Sequence, residues 1–154
     1  KLPAASSIKL PAASSATKSP PKKASLAGRR ILIVEDVPSI RTLAARMVVR
    51  AGGSVETAKN GRQGFDRVVK SIEDNNPFCV VFMDCHMPVM GGPDAIAKII
   101  AHVGPEKAPP IIGLTADVGD RITATFKDSG AVAVLSKPYT NDQLIDFVNK
   151  YRRQ

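Results

Sequence analysis

Phe78-Cys79-Val80-Val81-Phe82-Met83-Asp84 decides the fold: an unbroken apolar run that ends in a carboxylate. A strand apolar on both faces must be covered on both, which marks the interior of a parallel sheet, and such sheets carry their chemistry where the strands end. Working outward, similar short runs recur at Ile31–Glu35, Ser54–Ala58, Ile111–Thr115 and Val132–Ser136. Longer amphipathic segments separate them, and these predict helices over Pro38–Ala51, Arg62–Glu73, Pro93–Val103, Asp117–Ser129 and Thr140–Tyr151. This is a chain of five βα units. The first, third and fourth runs are apolar on both faces and belong at the centre. Ile40, Leu43, Met47 and Ala51 form the expected inner stripe of the first helix, which Gly52-Gly53 stop. Thr140 with Gln143 spells a capping box for the last helix, whose inward residues are Leu144, Val148 and Tyr151.

The residues that close the strands say what the sheet is for. Strand one ends in Glu35-Asp36, strand three in Asp84, strand four in Thr115 and strand five in Ser136-Lys137, while strand two ends in Ala58. Three carboxylates gathered at one end of a sheet repel one another unless a cation lies among them or some are protonated. Mg²⁺ suits such a site, because it takes one or two carboxylates, several waters and phosphoryl oxygens. A carboxylate is also a competent nucleophile toward phosphorus, in a transfer governed by positioning and charge neutralisation. Lys137 and the Thr115 hydroxyl are then the partners expected for phosphoryl oxygens. Taken singly, Asp84 reads as a helix cap, Thr115 as a strand residue, Lys137 as a solvated charge and Glu35-Asp36 as a turn. Five polar residues of these types at four strand ends read together as a site.

Ile31-Leu32-Ile33-Val34-Glu35-Asp36, Val81-Phe82-Met83-Asp84-Cys85-His86-Met87-Pro88-Val89-Met90-Gly91-Gly92, Ile112-Gly113-Leu114-Thr115-Ala116 and Leu135-Ser136-Lys137-Pro138 resemble, in order and spacing, the motifs of response-regulator receiver domains. The resemblance runs from about Arg29 to Arg153. It implies a flavodoxin-like α/β fold with a five-stranded parallel sheet of order 2-1-3-4-5 and helices on both faces. It implies that Asp84 is the phosphoacceptor in a phosphorelay. Asp36, Asp84 and the backbone carbonyl of His86 would hold Mg²⁺, with Glu35 acting mainly through water, and Thr115 and Lys137 would contact the phosphoryl group. The donor implied is a phosphohistidine on a histidine kinase or a histidine phosphotransfer protein, and the Lys137-Pro138 peptide is expected to be cis. The domain's own turnover would be limited to self-phosphorylation and slow hydrolysis.

The sequence departs from the family where receivers commonly carry an aromatic, three residues before the motif lysine: Val134 stands there. Tyr139 is expected to pack on the last helix rather than replace the missing ring. Gly119, Thr123 and Thr125 predict a weakly held fourth helix. His86 and Asp117 occupy the variable positions that tune access of hydrolytic water in the family. His102 reads as a helix C-terminal residue facing the dipole. An aspartate-nucleophile phosphohydrolase would show a second acid two residues after Asp84, where His86 stands. A flavodoxin would bind phosphate after strand one, where Glu35-Asp36 repel it.

The net charge of +8 belongs to the beginning of the chain. Residues 1–30 hold seven Lys or Arg and no acid, which leaves 15 bases against 14 acids in the remainder. The octapeptide Lys1–Ile8 is nearly repeated at Lys9–Ala16 and a Pro- and Lys-rich run follows, so residues 1–28 are expected to be a disordered basic linker and residues 29–154 the receiver domain. Nucleic acid is not an expected partner, since the basic excess lies in that tether. Cys79 and Cys85 are too far apart along one strand for a bridge, at roughly 20 Å, so free thiols and a cytoplasmic location are expected. No stretch approaches the ~18 apolar residues of a membrane span. The chain begins with Lys and ends just after the last predicted helix. Together with the wording of the Asp84 motif, this points to the C-terminal receiver of a hybrid histidine kinase, with a stand-alone response regulator as the alternative. The sequence does not disclose the oligomeric state.

Overall fold

The computed structural model describes residues 25–117 and 119–153. The five expected units are present: β1 (Arg30–Val34), α1 (Pro38–Arg50), β2 (Ser54–Ala58), α2 (Gly61–Glu73), β3 (Val80–Asp84), α3 (Gly92–Val103), β4 (Ile111–Thr115), α4 (Asp120–Ser129), β5 (Ala133–Ser136) and α5 (Asn141–Tyr151). All strands are parallel in the order β2-β1-β3-β4-β5. The three runs read as doubly apolar are the interior strands, and Ala58 ends an edge strand.

Strand periodicity sorts the core into two layers. Ile31, Ile33, Val80, Phe82, Ile112 and Leu114 face α1 and α5, where Ala44, Val48, Leu144 and Val148 meet them. Leu32, Val34, Val81, Met83 and Ile111 face the other way, onto Val68, Ala95, Ile96, Ile99 and Phe126 of α2, α3 and α4. Side chains buried to this degree each contribute about 1.5–3 kcal/mol, so the sheet is a stiff platform for its strand ends. Gly113 sits in this platform because a Cβ there would come within 2.6 Å of the Phe126 ring.

Several boundaries differ from expectation for local reasons. The inner stripe of α1 is rotated: Ala44 and Val48 are its buried residues, and Leu43 is 55% exposed. Ile40, Leu43 and Met47 line an apolar groove with Lys137, Pro138 and Tyr139, while Met47 and Ala51 of the expected stripe also pack, half-buried, on the α1/α5 layer. α4 starts at Asp120 rather than Asp117, because the Thr115 hydroxyl accepts from the Asp117 N–H (3.0 Å) and the Asp117 carboxylate accepts from the Gly119 N–H (2.9 Å). Such side chain to backbone bonds compete with the helix. Phe78 precedes β3 and lies under the Arg30 guanidinium, 4.1 Å from the ring centroid. The folded unit begins earlier than residue 29: Leu26 is fully buried in the α1/α5 layer and its N–H donates to the Ala51 carbonyl (2.8 Å). Residues 1–24 of the expected linker lie outside the described residues. The capping box is formed, with Gln143 N–H donating to Thr140 Oγ1 at 3.1 Å.

Candidate functional site

β1, β3, β4 and the β5–α5 junction bring the expected polar residues together. Glu35 extends the ladder of β1 by one bond, its N–H donating to the Ala58 carbonyl (3.1 Å), and its side chain is 1% exposed. Its carboxylate accepts from the Val37 N–H (3.2 Å) and from Lys137 Nζ (2.6 Å). Asp84 closes β3, with Oδ1 also 2.6 Å from Lys137 Nζ. One lysine therefore bridges the ends of β1 and β3. Thr115 is buried at the end of β4, beside Ser136 in register and one position beyond Leu114, which pairs with Asp84. The Lys137–Pro138 peptide is cis.

Burial pushes the Glu35 carboxyl above the usual carboxylate range, against the hydrogen bonds from Lys137 and Val37, and the nearby Asp84 charge adds to the rise. Burial alone would lower the Lys137 ammonium, but its hydrogen bonds to Asp84 and Glu35 outweigh this and raise it. Three carboxylates, those of Glu35, Asp36 and Asp84, offer oxygens within 4.8 Å of one another. Lys137 is the only cation in ion-pair contact with any of them among the described residues. The cluster thus retains negative charge, and its donors are all hard oxygens, as a small divalent cation requires. His86 is exposed in the loop after β3, which is also where Val89 is held at φ 69 with 83% of its surface open. Tyr139 is half-buried and packs on the α1/α5 layer, and burial raises its phenol.

One contributor was not read from the sequence. Arg41, in the first turn of α1, donates from Nη1 to the backbone carbonyls of Glu35 (2.8 Å) and Asp36 (3.2 Å). The only available signal was a basic residue early in a helix that carries three arginines and no acid.

Among the described residues, no helix is long and apolar enough to cross a membrane. A family model described as the response regulator receiver domain matches residues 31–149. The chain is 34% identical over 128 residues to the peroxide stress-activated histidine kinase mak3 of Schizosaccharomyces pombe, covering 80% of this chain and 5% of the kinase. It is 36% identical over 120 residues to the CAI-1 autoinducer sensor kinase/phosphatase CqsS of Vibrio cholerae, covering 78% of this chain and 17% of that protein. It therefore spans only a small part of these curated relatives. Among solved structures, the chemotaxis protein CheY4 of Vibrio cholerae superposes with a TM-score of 0.71 at 28% identity, covering 80% of this chain and 98% of that one.

Proposed function

We propose, because this chain belongs to the response-regulator receiver-domain family of two-component signalling, that Asp84 is its phosphoacceptor and that Mg²⁺ binds beside it. The observation that carries this reading is the Lys137 ammonium, seated 2.6 Å from both Glu35 and Asp84 at the end of a rigid sheet. An Asp84 oxygen attacks the phosphorus of a phosphohistidine; the P–N bond breaks, the imidazole leaves with its electron pair and takes a proton, and an aspartyl phosphate remains. Lys137 then pairs with a phosphoryl oxygen, and the Thr115 hydroxyl donates to another. Asp36, Asp84 and the His86 carbonyl would hold the metal, and Glu35 would hold it through water. Bound there, Mg²⁺ neutralises the charge that builds on the transferring group. Water later cleaves the acyl phosphate, returning the Asp84 carboxylate and inorganic phosphate.

The donor is a histidine kinase or a histidine phosphotransfer protein, and the relatives named as kinases favour a receiver embedded in a hybrid kinase over a stand-alone regulator. A cytoplasmic location fits this chemistry. The test is treatment with a small acyl phosphate, or with beryllofluoride, in Mg²⁺. The native chain should gain one phosphoryl mass, or the corresponding spectral change, and Asp84→Asn should not; modification that persists in Asp84→Asn rejects the assignment.

A further inference from the structure

We infer that Arg41 is a positioning residue that fixes the β1–α1 turn from behind, so that Asp36 and Glu35 face the metal position before any metal arrives. This rests on the reading of the acidic site given above. Beyond the Glu35 N–H, the turn has left the sheet ladder, and the carbonyls of Glu35 and Asp36 point toward α1. Arg41 Nη1 lies between them, at 2.8 and 3.2 Å. Its own N–H donates to the Val37 carbonyl (2.9 Å), so one residue ties three successive carbonyls of the turn to the first turn of the helix. From the other side, the Glu35 carboxylate accepts from the Val37 N–H (3.2 Å). The Asp36–Val37 peptide is thereby held at both edges and the Glu35–Asp36 peptide at its carbonyl, and these two planes set where the Asp36 Cβ points.

Arg41 does this without spending the carboxylates. Among the described residues, no carboxylate is within ion-pair distance of its guanidinium, whereas Lys137 engages both Glu35 and Asp84. Positioning and charge predict opposite effects. A cation behind the site repels Mg²⁺, so removing it on electrostatic grounds alone should tighten binding. Loss of a group that orients ligands weakens it, typically about 10–100-fold.

The experiment measures Mg²⁺ affinity by calorimetry for the native chain, Arg41→Ala, Arg41→Lys and Arg46→Ala, the last removing the same charge from an exposed position on α1. Arg41→Ala should weaken Mg²⁺ about tenfold, Arg41→Lys should recover part of the loss, and Arg46→Ala should leave affinity unchanged or slightly tighter. Amide exchange in metal-free protein should show Asp36 and Val37 opening faster in Arg41→Ala, with the central strands unaltered. Tighter or unchanged Mg²⁺ binding in Arg41→Ala overturns the inference, as does an equal loss in Arg46→Ala. Should the native chain take neither Mg²⁺ nor beryllofluoride, the reading of the site fails instead, and the Asp36 and Val37 exchange rates still decide whether Arg41 holds the turn.

Discussion

Replacing Lys137 by Met tests the electrostatic design of the site directly. In the native chain its ammonium lies 2.6 Å from Glu35 Oε2 and 2.6 Å from Asp84 Oδ1, and the side chains are 17%, 1% and 10% exposed. An exposed ion pair contributes less than about 1 kcal/mol, but removing one partner of a buried pair costs roughly 3–5 kcal/mol, because the remaining charge is left without compensation. With Lys137 slightly open to water, the expected loss is about 3 kcal/mol, or roughly 10 °C in melting temperature for a domain of this size. Two conditions should restore it. Acidification is the first: burial already holds the Glu35 carboxyl above its ordinary range, and without Lys137 the Asp84 charge beside it acts unopposed. The folded variant then binds a proton more readily than the unfolded chain, so its stability falls as pH rises through the folded value and its deficit shrinks from pH 7 toward pH 5. Mg²⁺ is the second, since a ligand held at 100 times its dissociation constant adds about 2.7 kcal/mol. Once Lys137 is gone, the cation should bind more tightly and stabilise the variant more than the native chain. Urea unfolding followed by circular dichroism, in chelator and in Mg²⁺ at both pH values, measures all of this; the chain has no tryptophan for fluorescence. A loss below about 1 kcal/mol in chelator would place the pair among exposed ones, and equal Mg²⁺ stabilisation of both chains would refute the claim that lysine and metal answer the same charge.

Two further perturbations separate site geometry from general stability. At Gly92 a methyl group would fall inside van der Waals contact of the Asp84 carbonyl oxygen and 3.0 Å from its carbonyl carbon. A backbone neighbour cannot rotate away, so Gly92→Ala should cost about 1–3 kcal/mol and slow phosphorylation by a small acyl phosphate. Gly104→Ala should cost about 1 kcal/mol in urea unfolding and leave phosphorylation unchanged, because Gly104 has φ 85 but nothing within 4 Å of its Cβ position; equal phosphorylation rates in the two variants would refute the distinction. Burial pushes the Cys85 thiol up, and the charges of Asp84 and Asp117 push it the same way. Cys85 is buried whereas Cys79 is half-buried, so iodoacetamide at pH 8 should label Cys79 first, and peptide mass spectrometry would reveal the reverse order if this is wrong.

The strand ends were legible because hydrophobic runs and the residues that close them are local features. Glu35, Asp36, Asp84, Thr115 and Lys137 each end a run, and a parallel sheet carries all such ends to one side. What the sequence hid depends on rotation or on distance between segments. Leu43 has the spacing of an inner residue, but α1 turns Ala44 and Val48 inward and leaves Leu43 at the rim. Leu26 looks like part of a low-complexity lead-in because nothing nearby marks it as core; only the Ala51 carbonyl and the α1/α5 layer, supplied by later residues, bury it. Arg41 donates to carbonyls, and no residue type at positions 35 and 36 announces a carbonyl acceptor.

The readout of the site turns on the same distinction. Val134 is half-buried against the α2/α3/α4 layer, a small branched side chain with no aromatic ring to swing between two positions. The connection from the site to α4 is instead a run of local hydrogen bonds. Thr115 Oγ1 accepts from the Asp117 N–H, the Asp117 carboxylate accepts from the Gly119 N–H, and the Gly119 carbonyl accepts from the Thr123 N–H at 3.4 Å. Phe126, lying on Gly113, is the buried anchor of α4. A Thr115 hydroxyl drawn toward a phosphoryl group on Asp84 withdraws the acceptor from Asp117, and the first turn of α4 is the next structure in line. A helix tied at its start by side-chain bonds and further on by one buried ring and the half-buried Ile122 is expected to shift at small cost. Phosphorylation is therefore expected to reach α4 through the β4–α4 turn: amide exchange at Gly119 and Thr123 should quicken in beryllofluoride and Mg²⁺, and unchanged exchange there would refute this route.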